Sequence, residues 1–257
     1  MPCRCSRILL PWLFFWLPAA SLWADLPDTL ERIKPGIVAV GTLQATRQPP
    51  AVLLGTGFVV ADGRHIITNA HVLPERLDAE RRESLVVFSG SGAQGTARPA
   101  TRLLVDDRHD LALLRIGGEP LPALRLAGTD RVREGQEVAF TGFPIGMVLG
   151  MYPATHRGIV AAISPVVLPA HHSGQLDAAQ VQRLRNRFDV YQLDATAYPG
   201  NSGSPLFDPR TGEVLGIINQ VFVKAGKENL LRDPSGITYA IPVRHARELL
   251  RRGLGDP

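Results

Sequence analysis

The sequence predicts an all-β fold in which two barrels fit best. Short β-like runs recur along the chain with Gly and Pro turns between them, the pattern of a barrel or sandwich. The runs fall into two series. A histidine and an aspartate with chemical promise lie in the first series and a serine in the second, as expected if a site forms at a junction between barrels.

Leu26–Ile33 reads as a short helix with Asp28 as its N-cap. The first strand series is Ile37–Leu43, Gly55–Val60, Arg64–Asn69, Leu85–Ser89 and Leu111–Ile116. Pro74–Glu83 interrupts it as a charged loop or short helix. The second series is Val138–Gly142, Gly158–Ile163, Val190–Thr196, Val214–Asn219 and Ile237–Ile241, with a further strand-like pair at Leu206-Phe207. Between its members lies a long excursion, Ser164–Asp189, in which Leu176, Ala179, Val181 and Leu184 have roughly helical spacing. Val243–Arg252 reads as an amphipathic helix with Leu249 and Leu250 on its buried side. No internal repeat is evident.

The first 24 residues read as a secretory signal peptide: Arg4 and Arg7, an uncharged run from Ile8 to Trp23, then Ala19, Ala20 and Ala24. An uncleaved anchor is the alternative, but the run is short and holds Pro11 and Pro18. Cleavage after Ala24 leaves residues 25–257 as one large all-β domain or two small ones. Both cysteines, Cys3 and Cys5, fall in the leader, so no disulfide is expected and the fold must rest on core packing. Without Arg4 and Arg7 the formal charge drops from +4 to about +2, and basic residues are scattered. Clusters at Arg183, Arg185 and Arg187 and at Arg244, Arg247, Arg251 and Arg252 read as solvated helix faces, so nucleic acid is not an expected partner.

Pro199-Gly200-Asn201-Ser202-Gly203-Ser204-Pro205 is the most informative stretch. Serine is a weak nucleophile until a base takes its proton. His71, in Ile66–Val72, supplies a candidate base. Asp110, heading the apolar run Leu111–Ile116, supplies a carboxylate to orient it. The glycine-flanked turn can aim the N–H groups of Gly200 and Ser202, with Asn201 between them, at one point as an oxyanion hole. Asp106 and Asp107 are rival carboxylates that read as solvated. His171-His172 lacks ligands at matching spacing and there is no HExxH, so no metal is expected. Thr196, Tyr198, Ile217, Ile218 and Asn219 are the expected substrate-binding residues.

These segments resemble the trypsin-like (chymotrypsin-fold) serine proteases, and among them the HtrA/Deg branch. The matching pieces run from Gly55-Thr56-Gly57-Phe58-Val59 through Thr68-Asn69-Ala70-His71-Val72, Asp110-Leu111-Ala112-Leu113-Leu114, Gly142–Gly146, Gly158-Ile159-Val160, Asp194-Ala195-Thr196 and Pro199–Pro205 to Tyr239-Ala240-Ile241-Pro242. The resemblance implies two six-stranded antiparallel β-barrels, at about 30–125 and 126–242, and a helix at 243–252. It also implies an endopeptidase that needs no cofactor, with His71, Asp110 and Ser202 as catalytic triad. Protein or peptide substrates, periplasmic or secreted location and homo-oligomers follow as expectations, although no residue demands an oligomer.

Three departures shape the expected specificity and control. Ser204 replaces the glycine usual in the HtrA branch and is more like the glutamyl endopeptidases. The strand after the nucleophile lacks their histidine, and no acidic residue lies between Thr196 and Ser202, so small or medium apolar side chains are the expected preference. Asn201 is uncharged, so no activation by ion pairing with a new N-terminus is expected. The PDZ domain common in the HtrA branch is not expected, because only five residues of this sequence follow residue 252. A catalytically silent, chaperone-like or protein-binding module on the same fold is the rival from another class. A lipase or esterase is weaker, because Ser204 breaks G-x-S-x-G.

Overall fold

A computed structural model describes residues 25–92, 95–129, 131–144, 150–165, 188–219 and 237–255. Helix α1 spans Leu26–Ile33. Six strands then follow: β1 (Ile37–Leu43), β2 (Ala51–Val60), β3 (His65–Asn69), β4 (Ser84–Ser89), β5 (Thr96–Asp106) and β6 (Leu111–Ile116). They close an antiparallel barrel in the order β1-β2-β3-β6-β5-β4. The strands β7 (Glu137–Gly142), β8 (Ala154–Pro165), β9 (Asp189–Asp194), β10 (Pro205–Phe207), β11 (Val214–Asn219) and β12 (Ile237–Pro242) close a second, and helix α2 (Val243–Leu254) follows. Beginning at its own first strand, the second barrel runs β7-β8-β9-β12-β11-β10, the same cycle as the first. The two halves thus repeat in topology although the sequence shows no repeat.

The side-chain period of two on a strand explains the core. Val38, Val40, Val59, Ile66 and Leu114 belong to a cluster confined to the first half of the chain. Their neighbours Ile37, Ala39, Phe58, Val60, Ile67 and Leu113 join Phe140, Leu193, Ile217 and Ile241 in a cluster shared by both halves. Strands β1, β3 and β6 are therefore buried on both faces, which is why they read as continuous apolar runs. Helix α2 buries Val243, Ala246 and Leu249, with Leu250 partly buried, and packs on β5 and β6 as well as on β11 and β12.

Several expectations need correction. The N-cap of α1 is Asp25, with Asp28 inside the first turn. Strand β5 is absent from the sequence-based series. For Pro74–Glu83 the loop alternative holds, and no helix forms there. Ser164 and Pro165 are not part of an excursion: they end β8 and pair with Val190 and Asp189 of β9, so a strand ladder closes the base of that segment. The leader with Cys3 and Cys5, His171-His172, the helix expected from Leu176 and the cluster of Arg183, Arg185 and Arg187 lie outside the described residues. Among the described residues no helix is long and apolar enough to cross a membrane, which says nothing of β-barrel proteins.

Candidate active site

Barrel closure brings three distant segments together. His71 lies in a short 3-10 turn, Ala70–Val72, directly after β3. Asp110 heads β6, the hydrogen-bonded neighbour of β3. Ser202 lies just before β10, in the other barrel. The His71 ring spans the gap: Nε2 is 2.9 Å from Ser202 Oγ, and Nδ1 is 2.5 Å from Asp110 Oδ2. That separates a base nitrogen facing the hydroxyl from a donor nitrogen facing the carboxylate, the tautomer that proton abstraction from serine needs.

Asp110 is held on every side. Its Oδ1 accepts the main-chain N–H of His71 at 2.9 Å, and its Oδ2 accepts Asn219 Nδ2 at 2.6 Å. Its carbonyl accepts Ala70 N–H at 3.1 Å and Asn69 Nδ2 at 3.0 Å. These bonds keep Asp110 at φ +53°, a left-handed conformation uncommon for a residue with a Cβ and concentrated at sites held by their surroundings.

The turn before β10 presents Ser202. Asn201 N–H bonds to Tyr198 O at 2.9 Å around Pro199 and Gly200, and Gly200 has φ +99°. Proline second and a positive-φ glycine third are the residues a type II turn requires. Ser204 N–H then bonds to Asn201 O at 3.0 Å around Ser202 and Gly203, with Gly203 at φ +86°. Among the described residues, the N–H groups of Gly200 and Ser202 donate to no partner. Ser202 is 5% exposed.

Of the expected substrate-binding residues, Tyr198 is exposed and Thr196 half-buried. Ile217 and Ile218 are fully buried in the core and present no surface to a substrate in this structure. Asn219 is also fully buried, and its amide serves Asp110. Behind Tyr198, His156 stacks on Phe140 at 4.8 Å and meets the Tyr198 ring at 5.8 Å. Burial holds the His156 pKa below its usual value, so the imidazole is neutral near pH 7.

Asp106 is not solvated as expected; it is 8% exposed. Its Oδ2 lies 2.8 Å from His109 Nδ1, and Arg252 of α2 approaches to 3.7 Å. Burial raises the carboxyl pKa, but the bonds and charge of His109 outweigh it and the net direction is down. His109 stacks on His245 of α2 at 3.9 Å, and Phe188 meets both rings edge-on. The β5–β6 turn that ends at Asp110 is thus braced by α2. Among the described residues no cluster of His, Cys, Asp and Glu could hold a metal.

Comparison with known proteins bears on the family and the fold. The trypsin-like peptidase domain family matches residues 55–217. A Pseudomonas fluorescens protein named "Probable periplasmic serine endoprotease DegP-like" is 31% identical over 88% of this chain and 42% of its own length. The mitochondrial serine protease HTRA2 of Bos taurus is 32% identical over 91% of this chain and 44% of its own. The chain therefore spans less than half the length of these curated relatives. Among solved structures, the serine endoprotease from Yersinia pestis superposes with a TM-score of 0.62 at 23% identity, over 91% of this chain and 68% of that one. The HtrA-type protease AlgW, solved with a tripeptide, gives 0.61 at 25% identity, over 89% and 63%. Fold, match and relatives converge: the chain belongs to the trypsin-like peptidase domain family, with DegP/HtrA serine proteases among its relatives.

Proposed function

We propose that this protein is an exported serine endopeptidase. The observation that carries the reading is the unbroken line Ser202 Oγ–His71–Asp110, with contacts of 2.9 Å and 2.5 Å, beside two amides unengaged among the described residues. In the proposed reaction His71 Nε2 takes the Ser202 proton as Oγ attacks the scissile carbonyl. Asp110 holds the imidazolium that forms, and the Gly200 and Ser202 amides receive the oxyanion. The imidazolium returns its proton to the leaving amine. Water then attacks the acyl-serine by the same path and releases the acid.

The turn from Thr196 to Pro199 carries no charge, and His156 behind it is neutral, which favours small or medium apolar side chains at the cleaved position. Periplasmic location is proposed from the expected leader and from the periplasmic relatives' names, and a role in protein quality control or regulated proteolysis from the resemblance to the HtrA branch. The test is labelling by a small fluorophosphonate, with Ser202→Ala and heat-denatured protein as controls. Labelling of native protein only, lost in the variant, is expected. An unlabelled native protein would overturn the reading and favour a protein-binding module.

A further inference from the structure

We infer that Thr56, a residue of β2 in the first barrel, is the positioning residue that sets the oxyanion turn of the second. This inference rests on the protease reading above. Thr56 is fully buried and uses every polar atom it has. Its main-chain N–H donates to Ser202 O at 2.9 Å. Its hydroxyl donates to Gly200 O at 2.7 Å and accepts Phe143 N–H at 3.0 Å. Its carbonyl accepts the Thr68 hydroxyl at 2.7 Å.

The peptide planes show what this clasp does. In the plane joining Gly200 to Asn201, the carbonyl is held by the Thr56 hydroxyl and the N–H by Tyr198 O. In the plane joining Ser202 to Gly203, the carbonyl is held by the Thr56 N–H and the N–H by Ile218 O. Both planes are fixed at both ends, and Thr56 holds the carbonyl end of each. The Ser202 amide lies in the plane between them, and the Gly200 amide lies in the plane just before. Both candidate oxyanion donors are therefore oriented by peptides that Thr56 anchors. Gly200 has no Cβ to limit rotation about either of its backbone torsions, so once the hydroxyl no longer fixes its carbonyl the 199–200 plane is also freer to turn, and the Gly200 N–H can move off line. The donated and accepted bonds also use the single hydroxyl proton consistently. The space is tight: a Cβ on Gly142 would lie 2.8 Å from Thr56 Oγ and one on Gly203 2.0 Å from the Thr56 carbonyl oxygen. The hydroxyl therefore has little freedom to choose other partners.

Thr56→Val removes the hydroxyl at nearly constant volume, and Thr56→Ser keeps it. Thr56→Ala replaces the Val variant if Val prevents folding. The readouts are melting temperature, fluorophosphonate labelling rate, kcat and KM on a peptide substrate, and amide hydrogen exchange over residues 198–204. The Val variant is expected to lose about tenfold to a hundredfold in kcat and labelling rate, with KM within about threefold, because misorienting a preorganised donor acts on the transition state. Exchange over 198–204 should quicken in the Val variant and stay near wild type in the Ser variant. Unchanged exchange in the Val variant, or a Ser variant as impaired as the Val variant, would overturn the inference. If the wild type neither labels nor turns over, the protease reading fails, and the exchange data still decide whether Thr56 sets the turn.

Discussion

Asp110→Asn tests how far the surroundings of one carboxylate decide the tautomer of His71. Three N–H groups converge on Asp110: the His71 main chain on Oδ1, and His71 Nδ1 with Asn219 Nδ2 on Oδ2. A carboxamide has one oxygen to offer. If it faces His71 Nδ1, its own NH2 meets the main-chain N–H of His71, a donor against a donor. That group cannot turn, so this arrangement carries about 1–3 kcal/mol of unrelieved mismatch. If the oxygen faces the main chain instead, the NH2 faces Nδ1. The ring then moves its proton to Nε2, and Asn219 can rotate about its last bond. The mismatch makes this second arrangement the favoured one, by about tenfold to a hundredfold. With Nε2 protonated, His71 cannot accept from Ser202. Adding the lost support for the imidazolium, the expected fall in kcat is about 10⁴-fold. Peptide hydrolysis by the variant, with Ser202→Ala as the floor and melting temperature as a fold control, measures it. A folded Asp110→Asn protein within about tenfold of wild-type kcat/KM would refute the reasoning.

Gly203→Ala should abolish the folded site: Gly203 has φ +86°, and a Cβ there would lie 2.0 Å from the Thr56 carbonyl oxygen. A loss of about 3 kcal/mol or more is expected, read by denaturant titration. Stability should also fall with acid through His245. Burial first, then the charges of His109, Arg244 and Arg108 against the opposing pull of Asp106, hold its pKa down at about 3, well below the ordinary histidine value of 6.5. Between those values the unfolded chain binds the proton and the folded chain does not, so this contribution is full above about pH 6.5 and lost progressively below it. The melting temperature should drop between about pH 7.5 and pH 5 by more in wild type than in His245→Phe. Equal drops would refute the assignment.

The catalytic candidates were legible because each has a local signature: a glycine-flanked serine, a histidine just past an apolar strand, an aspartate at the head of another. Strand β5 has none. Most of its residues are exposed, and it carries Arg98, Pro99 and Arg102, so only its pairing with β4 and β6 makes it a strand. The roles of Asn219, Asn69 and Thr56 were hidden for a different reason. Each acts through a hydrogen bond to a residue far away in sequence, formed only after the barrels close. Asp106 looked solvated because the rings and the guanidinium that cover it come from its own turn and from α2. Asn69 and Thr56 do lie inside short motifs, which was the one available hint.

The bracing of the Asp110 turn by α2 has a consequence for how the protein is made. Synthesis runs from the N-terminal side, so the ribosome delivers β5, β6 and Asp110 long before His245, Arg252 and the apolar face of Ala246 and Leu249. The first barrel can close on its own strands while that side of it still lacks its cover. A nascent chain therefore carries His71, Asp110 and Ser202 before the support of the Asp110 carboxylate exists. Proteolytic competence should arrive late in biogenesis, which limits the time a half-made chain could spend cutting its neighbours.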